Sequence, residues 1–168
     1  MSWLNKLLPP KIKREGRTER PSAVPEGLWS KCSACEAVLY YTDLESNLQV
    51  CPKCGHHHAL QARPRLDMLL DQEGRREIGA EVQPVDVLKF KDSKRYLDRL
   101  SAARLETGEE DALVVMQGSI LSIPAVVAAF EFKFIGGSMG SVVVARFVRG
   151  VAAAVGARAP LVCVAAAG

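Results

Sequence analysis

The sequence predicts a mixed α/β protein headed by a small cysteine-built ribbon, on three observations. Cys32, Cys35, Cys51 and Cys54 stand as two C-x2-C pairs with fifteen residues between them. Two apolar runs rich in Val and Ala, Ala112 to Met116 and Ala125 to Phe132, have the character of strands buried on both faces. A glycine-rich turn, Gly136-Gly137-Ser138-Met139-Gly140, opens a helical stretch that leads to a third apolar run, Pro160 to Val164. Strand, strand, helix, strand is the opening of a wound α/β unit, and 48% hydrophobic composition over 168 residues is ample for its core.

Residues 1–26 contain Pro9, Pro10, Pro21 and Pro25 and crowd Lys6, Lys11, Lys13, Arg14, Arg17 and Arg20 into twenty positions, although the net charge of the whole chain is only +3. An extended basic leader without a core follows. Leu4, Leu7 and Leu8 begin an amphipathic turn that Pro9 and Pro10 stop, and no run there approaches a signal peptide or a membrane span. Cytoplasmic residence is the expectation.

The ribbon is expected over residues 27–58, with Val38 to Tyr41 and Leu48 to Val50 as strands around a polar turn at Glu45-Ser46-Asn47. Residues 59–110 read as a helical connecting segment. Leu66, Leu69 and Leu70 have helical spacing between Ala62 and Asp71, with Pro64 tolerable in the first turn. A second helix is expected after an Asp92-Ser93 cap, with Tyr96, Leu97 and Leu100 on one face and an end at Thr107-Gly108. Residues 111–168 hold the apolar strands, joined by a hairpin at Leu121-Ser122, and then the glycine turn, the helix and the last strand. The final strand runs into Ala165-Ala166-Ala167-Gly168 without a covering helix, so the rest of the spiral is expected to lie outside these residues or to come from another chain.

Two tight C-x2-C knuckles at this separation converge on one tetrahedral ion, and Gly55 after the second can take the positive φ that aims backbone amides at sulfur. Two disulfides are the competing reading, disfavoured without a secretory signal. Four thiolates leave no open coordination position, so a zinc ion here is structural. His56, His57 and His58 read as solvated or supporting groups, because Cys54 already supplies the fourth ligand. Cys163, within Leu161-Val162-Cys163-Val164, reads as a buried small hydrophobe.

A Gly-Gly-Ser-x-Gly turn entering a helix can present backbone amides to an oxyanion or phosphate. Without the Lys of a P-loop, the pattern alone favours a close packing turn. Arg146 and Arg149 could meet an anionic ligand, with surface charge as their default reading. Glu109-Glu110-Asp111 reads as a solvated run. No Ser, His and Asp set forms a nucleophile motif, so backbone amides are the better candidates for any chemistry. Two alternatives stand beside an enzymatic reading: a nucleic-acid-binding ribbon using the basic leader with Lys31 and Lys53, and a non-catalytic, truncated homologue that only assembles.

Several stretches carry a resemblance together: Pro25-Glu26-Gly27-Leu28-Trp29, Cys51-Pro52-Lys53-Cys54 with His56-His57, and Leu88-Lys89-Phe90-Lys91-Asp92-Ser93-Lys94. Glu106-Thr107-Gly108-Glu109 and Phe130-Glu131-Phe132, followed by Gly136-Gly137-Ser138-Met139-Gly140-Ser141 and Arg146-Phe147-Val148-Arg149, complete the set. The chain resembles the beta subunit of the bacterial acetyl-coenzyme A carboxylase carboxyltransferase. The resemblance implies a zinc ribbon followed by the first part of a crotonase-like ββα spiral. It implies a subunit that moves a carboxyl group from carboxybiotin to acetyl-CoA, giving malonyl-CoA for fatty acid synthesis, and that is inactive alone. It also implies an alpha-subunit partner, with biotin carboxyl carrier protein, which holds the biotin, and biotin carboxylase in the ATP-using holo-complex. Gly136, Gly137, Ser138, Arg146 and Arg149 then fall on the acyl-CoA side, and Gly168 supplies an oxyanion-hole amide. The sequence departs from the family at Ala165-Ala166-Ala167, where a Ser-containing run leads into Gly-Gly-Ala-Arg, and at Ser122, where Gly is usual at the hairpin tip.

Overall fold

The computed structural model describes residues 28–168; the basic leader lies outside the described residues. The ribbon is built from β1 (Trp29–Lys31), β2 (Val38–Tyr40) and α1 (Tyr41–Ser46). Here the structure corrects the expected strand pairing. β2 pairs with β1 in antiparallel register, Trp29 opposite Tyr40 and Lys31 opposite Val38, so the first knuckle sits at the tip of its own hairpin. Residues 41–46 are helical, and Val50 makes only an isolated bridge to His57, which brackets the second knuckle in the same way. The helical turn brings Leu44 against Leu39, Cys32 and Cys51 in a small buried cluster. Leu48 and Gln49, both at positive φ, reverse the chain where the strand was expected.

The larger unit contains α2 (Ala62–Leu69), β3 (Arg76–Glu77), α3 (Tyr96–Thr107), β4 (Leu113–Ile120), β5 (Ile123–Phe130), α4 (Ser141–Ala157) and β6 (Leu161–Val164). Its four strands stand in the order β3-β4-β5-β6, the first two pairings antiparallel and β5 to β6 parallel. The apolar runs are continuous because both faces of the sheet are covered. Leu113, Val115, Val126, Ala128 and Phe130 face a core shared with α3 and α4, whereas Val114, Val127 and Ala129 face Ala62 and Leu66 from α2 and Leu70 just after it. Gly150 sets how closely α4 approaches: a Cβ there would meet Val115 Cγ1 at 2.8 Å.

The hairpin falls where expected. Leu121 and Ser122 take φ of 50° and 67°, a type I′ conformation that ordinarily selects Gly or Asn. Asp71 compensates: its carboxylate accepts hydrogen bonds from the Leu121 and Ser122 amides and from the Ser119 hydroxyl at 3.2, 2.8 and 2.8 Å. The Ser122 amide, followed by the Ser119 hydroxyl, holds the Asp71 carboxyl below the usual carboxylate range.

Three further expectations are corrected. α3 begins at Tyr96 with no side-chain cap; Asp92 instead accepts from the Lys94 amide and from Arg99, one turn into the helix. Glu109 and Asp111, read as solvated, are 5% and 6% exposed. Arg63 from α2 reaches Glu109 through two bonds of 2.7 and 2.8 Å and also pairs with Glu77, so the carboxylate run is a tie between helix, sheet and loop. Burial still pushes the Glu109 carboxyl upward, against the pull of Arg63. Cys163 is exposed, because β6 is the sheet edge and only β5 flanks it among the described residues.

The Asp92 geometry has a measurable consequence. Arg99, and then the Lys94 amide, hold the Asp92 carboxyl from 3.8 down to about 2. A depressed native value contributes stability above 3.8 that is lost as the pH falls through about 2. Asp92→Asn is therefore expected to flatten the acid limb of stability in that window and leave it unchanged near neutrality beyond the loss of the Arg99 contact. Chemical denaturation at stepped pH, followed by circular dichroism, measures this; an unaltered acid limb would contradict it.

Candidate metal centre and glycine turn

Cys32, Cys35, Cys51 and Cys54 place their four Sγ atoms within 4.8 Å of one another. Cys32 to Cys54 measures 3.7 Å and Cys35 to Cys51 measures 3.8 Å. A tetrahedron with Zn–S bonds of about 2.3 Å has edges of about 3.8 Å, so the quartet has the dimensions of a tetrathiolate zinc site. Disulfides need sulfurs about 2.05 Å apart, and all four cysteines are free in the structure.

The two knuckles are copies of one backbone device. The Glu36 amide donates to the Cys32 carbonyl at 2.9 Å, and the Gly55 amide donates to the Cys51 carbonyl at 2.9 Å. Cys32 N donates to Ala37 O and Cys51 N to His56 O, at 2.9 and 2.8 Å. Gly55 takes the expected positive φ of 72°, and Glu36 occupies the matching place at 59°.

Thiols this close do not ionise independently. The Cys35 amide is the main influence that brings Cys32 down to about 6. At Cys54 the His56 amide pulls downward, but desolvation and the three neighbouring sulfurs outweigh it and push the thiol up to about 12. A divalent cation removes this conflict by stabilising all four thiolates. Among the described residues this quartet is the one clustered set of three or more His, Cys, Asp or Glu ligands, and the histidines are not part of it. His56 Nε2 lies 3.0 Å from Ser33 Oγ, His57 is exposed, and His58 stacks edge-on against His56.

The glycine turn lies far along the chain and seats the segment after β6. Gly136 and Gly137 take φ of 66° and 69°. A Cβ on Gly137 would stand 2.0 Å from the Ala166 carbonyl oxygen, and the Gly168 amide donates to Gly136 O at 2.9 Å. The Gly137, Ser138 and Gly140 amides donate to Phe134, Ile135 and Ser138 carbonyls. The turn is thus a close packing device in the described state, and the Gly168 amide meets the same turn.

Arg146 and Arg149 are brought together over residues 79–82. Arg146 is 2% exposed and donates to the carbonyls of Leu113, Val82 and Ala80 at 2.9, 3.3 and 3.5 Å. The default of surface charge is corrected: this cation fastens α4 to the sheet and offers no exposed donor to an anion. Arg149 stays at the surface and pairs with Glu81.

Sequence reasoning passed over the groups at the carboxyl ends of β5 and β6. Glu131 is 3% exposed, accepting from the Ala62 amide at 2.9 Å and from the Lys133 amide at 3.2 Å, and so fixes the start of α2 to the end of β5. A charged residue between Phe130 and Phe132 was the available signal. Arg65 and Lys133 flank the same place.

Lys31 pairs with Glu36, and the described ribbon from 28 to 61 sets two lysines against Glu36, Asp43 and Glu45. That balance does not favour nucleic acid phosphates.

Residues 29–54 match the family described as the acetyl-CoA carboxylase zinc finger domain. The fold is similar to the transcarboxylase 12S multienzyme core, solved with methylmalonyl-coenzyme A and methylmalonic acid bound. The TM-score is 0.50 and the identity 24%, over 65% of this chain and 19% of that one. It is also similar to a single-chain, multi-domain long-chain acyl-CoA carboxylase, with a TM-score of 0.51 and 22% identity over 65% of this chain and 11% of that one. These likenesses bear out the fold class, a mixed α/β unit behind a four-cysteine ribbon. The chain matches less than a fifth of the length of either enzyme.

Proposed function

We infer that this chain, an acetyl-CoA carboxylase zinc finger joined to opening units of a carboxyltransferase fold, is a carboxyltransferase beta subunit. The observation that carries the reading is the conjunction: the finger matched over residues 29–54 belongs to a chain whose fold is similar to that of the transcarboxylase core and the acyl-CoA carboxylase. Either part alone is less specific.

The reaction proposed is transfer of a carboxyl group from carboxybiotin to acetyl-CoA, giving malonyl-CoA for fatty acid synthesis in the cytoplasm. An alpha subunit is the partner that completes the site, and the biotin arrives on a carrier protein charged by biotin carboxylase. Acetyl-CoA loses an α-proton, its thioester enolate attacks CO2 released from carboxybiotin, and the biotin ureido nitrogen takes up a proton. The protein must hold the enolate oxygen and keep the two reactants adjacent. Backbone amides suit the first task, since preorganised N–H donors stabilise an oxyanion without titrating. Gly168 is the candidate, and its amide would have to exchange the Gly136 carbonyl for the thioester oxygen. Gly137 packs against the Ala166 and Ala167 backbone of that segment. The zinc supplies no chemistry: four thiolates close its coordination, and it holds the ribbon beside the strand ends.

The test mixes this chain with a carboxyltransferase alpha subunit and measures biotin-dependent conversion of malonyl-CoA to acetyl-CoA, alongside co-elution of the two chains. Turnover with co-elution is expected. Co-elution without turnover would reject catalysis by this chain, and failure of both would reject the subunit assignment.

A further inference from the structure

We propose that the cleft at the carboxyl ends of β5 and β6 holds an anionic group of the acyl-CoA thioester, gripped by Arg65 and Lys133. This rests on the carboxyltransferase reading and adds charge-recognising residues to Arg149, since Arg146 is spent on backbone carbonyls.

The cleft has a volume of about 260 Å³ and is lined by Gln61, Arg65, Glu131, Lys133, Val164 and Ala166, among others. Its position follows from topology. β5 and β6 are the parallel pair, and the cleft lies where the chain leaves their carboxyl ends, between residues 130–133 and residues 164–166. The segment that leaves the ribbon at 59–61 forms another wall, so ribbon, sheet and the approach to Gly168 meet here.

Two cations reach this crevice without an acidic partner. Arg65 and Lys133 form no ion pair among the described residues, although Arg63, Arg75, Arg95, Arg99, Arg104 and Arg149 all do. The Arg65 guanidinium makes one long contact, 3.5 Å to the Leu60 carbonyl, which leaves most of its donors free. Glu131 is the carboxylate nearest the crevice by sequence and lining. Its two oxygens are engaged by the Ala62 and Lys133 amides, which tie it to the backbone rather than to either cation. A half-buried guanidinium and an exposed ammonium lining one cleft, beside a satisfied carboxylate, form a site for a carboxylate or phosphate oxyanion. An acyl-CoA carries both: phosphates on its nucleotide and, in the malonyl thioester, a carboxylate at the acyl end.

The experiment uses the chain with its alpha partner and the charge reversals Arg65→Glu and Lys133→Glu, with Arg65→Lys and Lys133→Arg as rescue variants. In malonyl-CoA decarboxylation, KM is expected to rise about tenfold or more for each reversal. The expected kcat stays within about twofold, and the rescue variants lie near wild type. Malonyl-N-acetylcysteamine, which keeps the carboxylate and lacks the nucleotide, identifies the source. An effect that persists with it assigns the carboxylate, and one that vanishes assigns the phosphates; either supports the site. Unchanged KM in both reversals of an active enzyme overturns it. If wild type shows no turnover, equilibrium dialysis of malonyl-CoA against the chain decides: binding lost on reversal supports the cleft, and binding absent from wild type or retained in the reversals overturns it. Circular dichroism melting of each variant separates a fold defect, which would depress kcat and stability together, from loss of the anion contact.

Discussion

Replacing Cys51 with serine is expected to release the zinc and unfold the ribbon while leaving the larger sheet folded. Cys51 is 1% exposed, contributes one of four converging sulfurs and packs with Leu39 and Leu44 in the only buried cluster described for the ribbon. That cluster is too small to hold the ribbon together without metal, and binding of a structural zinc supplies on the order of 10 kcal/mol. The β4–β5 hairpin and its helices have separate cores on both sheet faces and do not depend on those residues. Metal analysis of protein purified without added zinc should fall from one equivalent to near zero. Hydrogen exchange should lose protection at the Cys32, Glu36, Cys51 and Gly55 amides and keep it in β4 and β5. Full zinc content with unchanged protection would refute the tetrathiolate site.

Gly137→Ala is expected to destabilise the larger unit by about 3 kcal/mol, from left-handed strain of about 1–2 kcal/mol and an overpacking cost of similar size. The new methyl would stand 2.0 Å from the Ala166 carbonyl oxygen, a backbone atom that cannot swing away. The segment from Ala165 to Gly168 must then shift, so exchange protection at the Gly168 amide and any turnover with an alpha subunit should fall together. Gly136→Ala is the matched control. Gly136 has nearly the same φ but nothing within 4 Å of its added Cβ, so only the strain term, about 1–2 kcal/mol, should appear. Urea denaturation of both variants measures the difference; equal losses would show that contact with Ala166 does not govern the turn.

The parts of this protein legible in the sequence are those encoded by neighbours along the chain. Two C-x2-C pairs specify a metal knuckle because ligand spacing is a local property, and Gly55 was legible because a left-handed turn favours glycine. The strands around Leu121-Ser122 were legible because sheets covered on both faces need uninterrupted apolar runs. The glycine turn announced close packing, although not its partner: nothing near Gly137 says that Ala166, beyond both α4 and β6, is what arrives there.

The ribbon pairing was misread for the same reason in reverse. Val38–Tyr40 and the 48–50 segment both have strand character, but Leu44 needed burial against the cysteines, and a helical turn provides it. Charge was the least legible property. Arg146, Glu109 and Asp111 have the composition of surface residues, and only their distant partners make burial tolerable: Leu113, Ala80 and Val82 carbonyls for the arginine, and Arg63, 46 residues away, for Glu109. By itself the sequence determined the cysteine quartet, the strand, strand, helix, strand order of residues 111–168, and the family they resemble, because periodicity and ligand spacing are written locally. The tertiary structure alone decided which cations lie inside and which face the strand ends, because the cost of burying a charge depends on donors and acceptors that only the completed fold brings within reach.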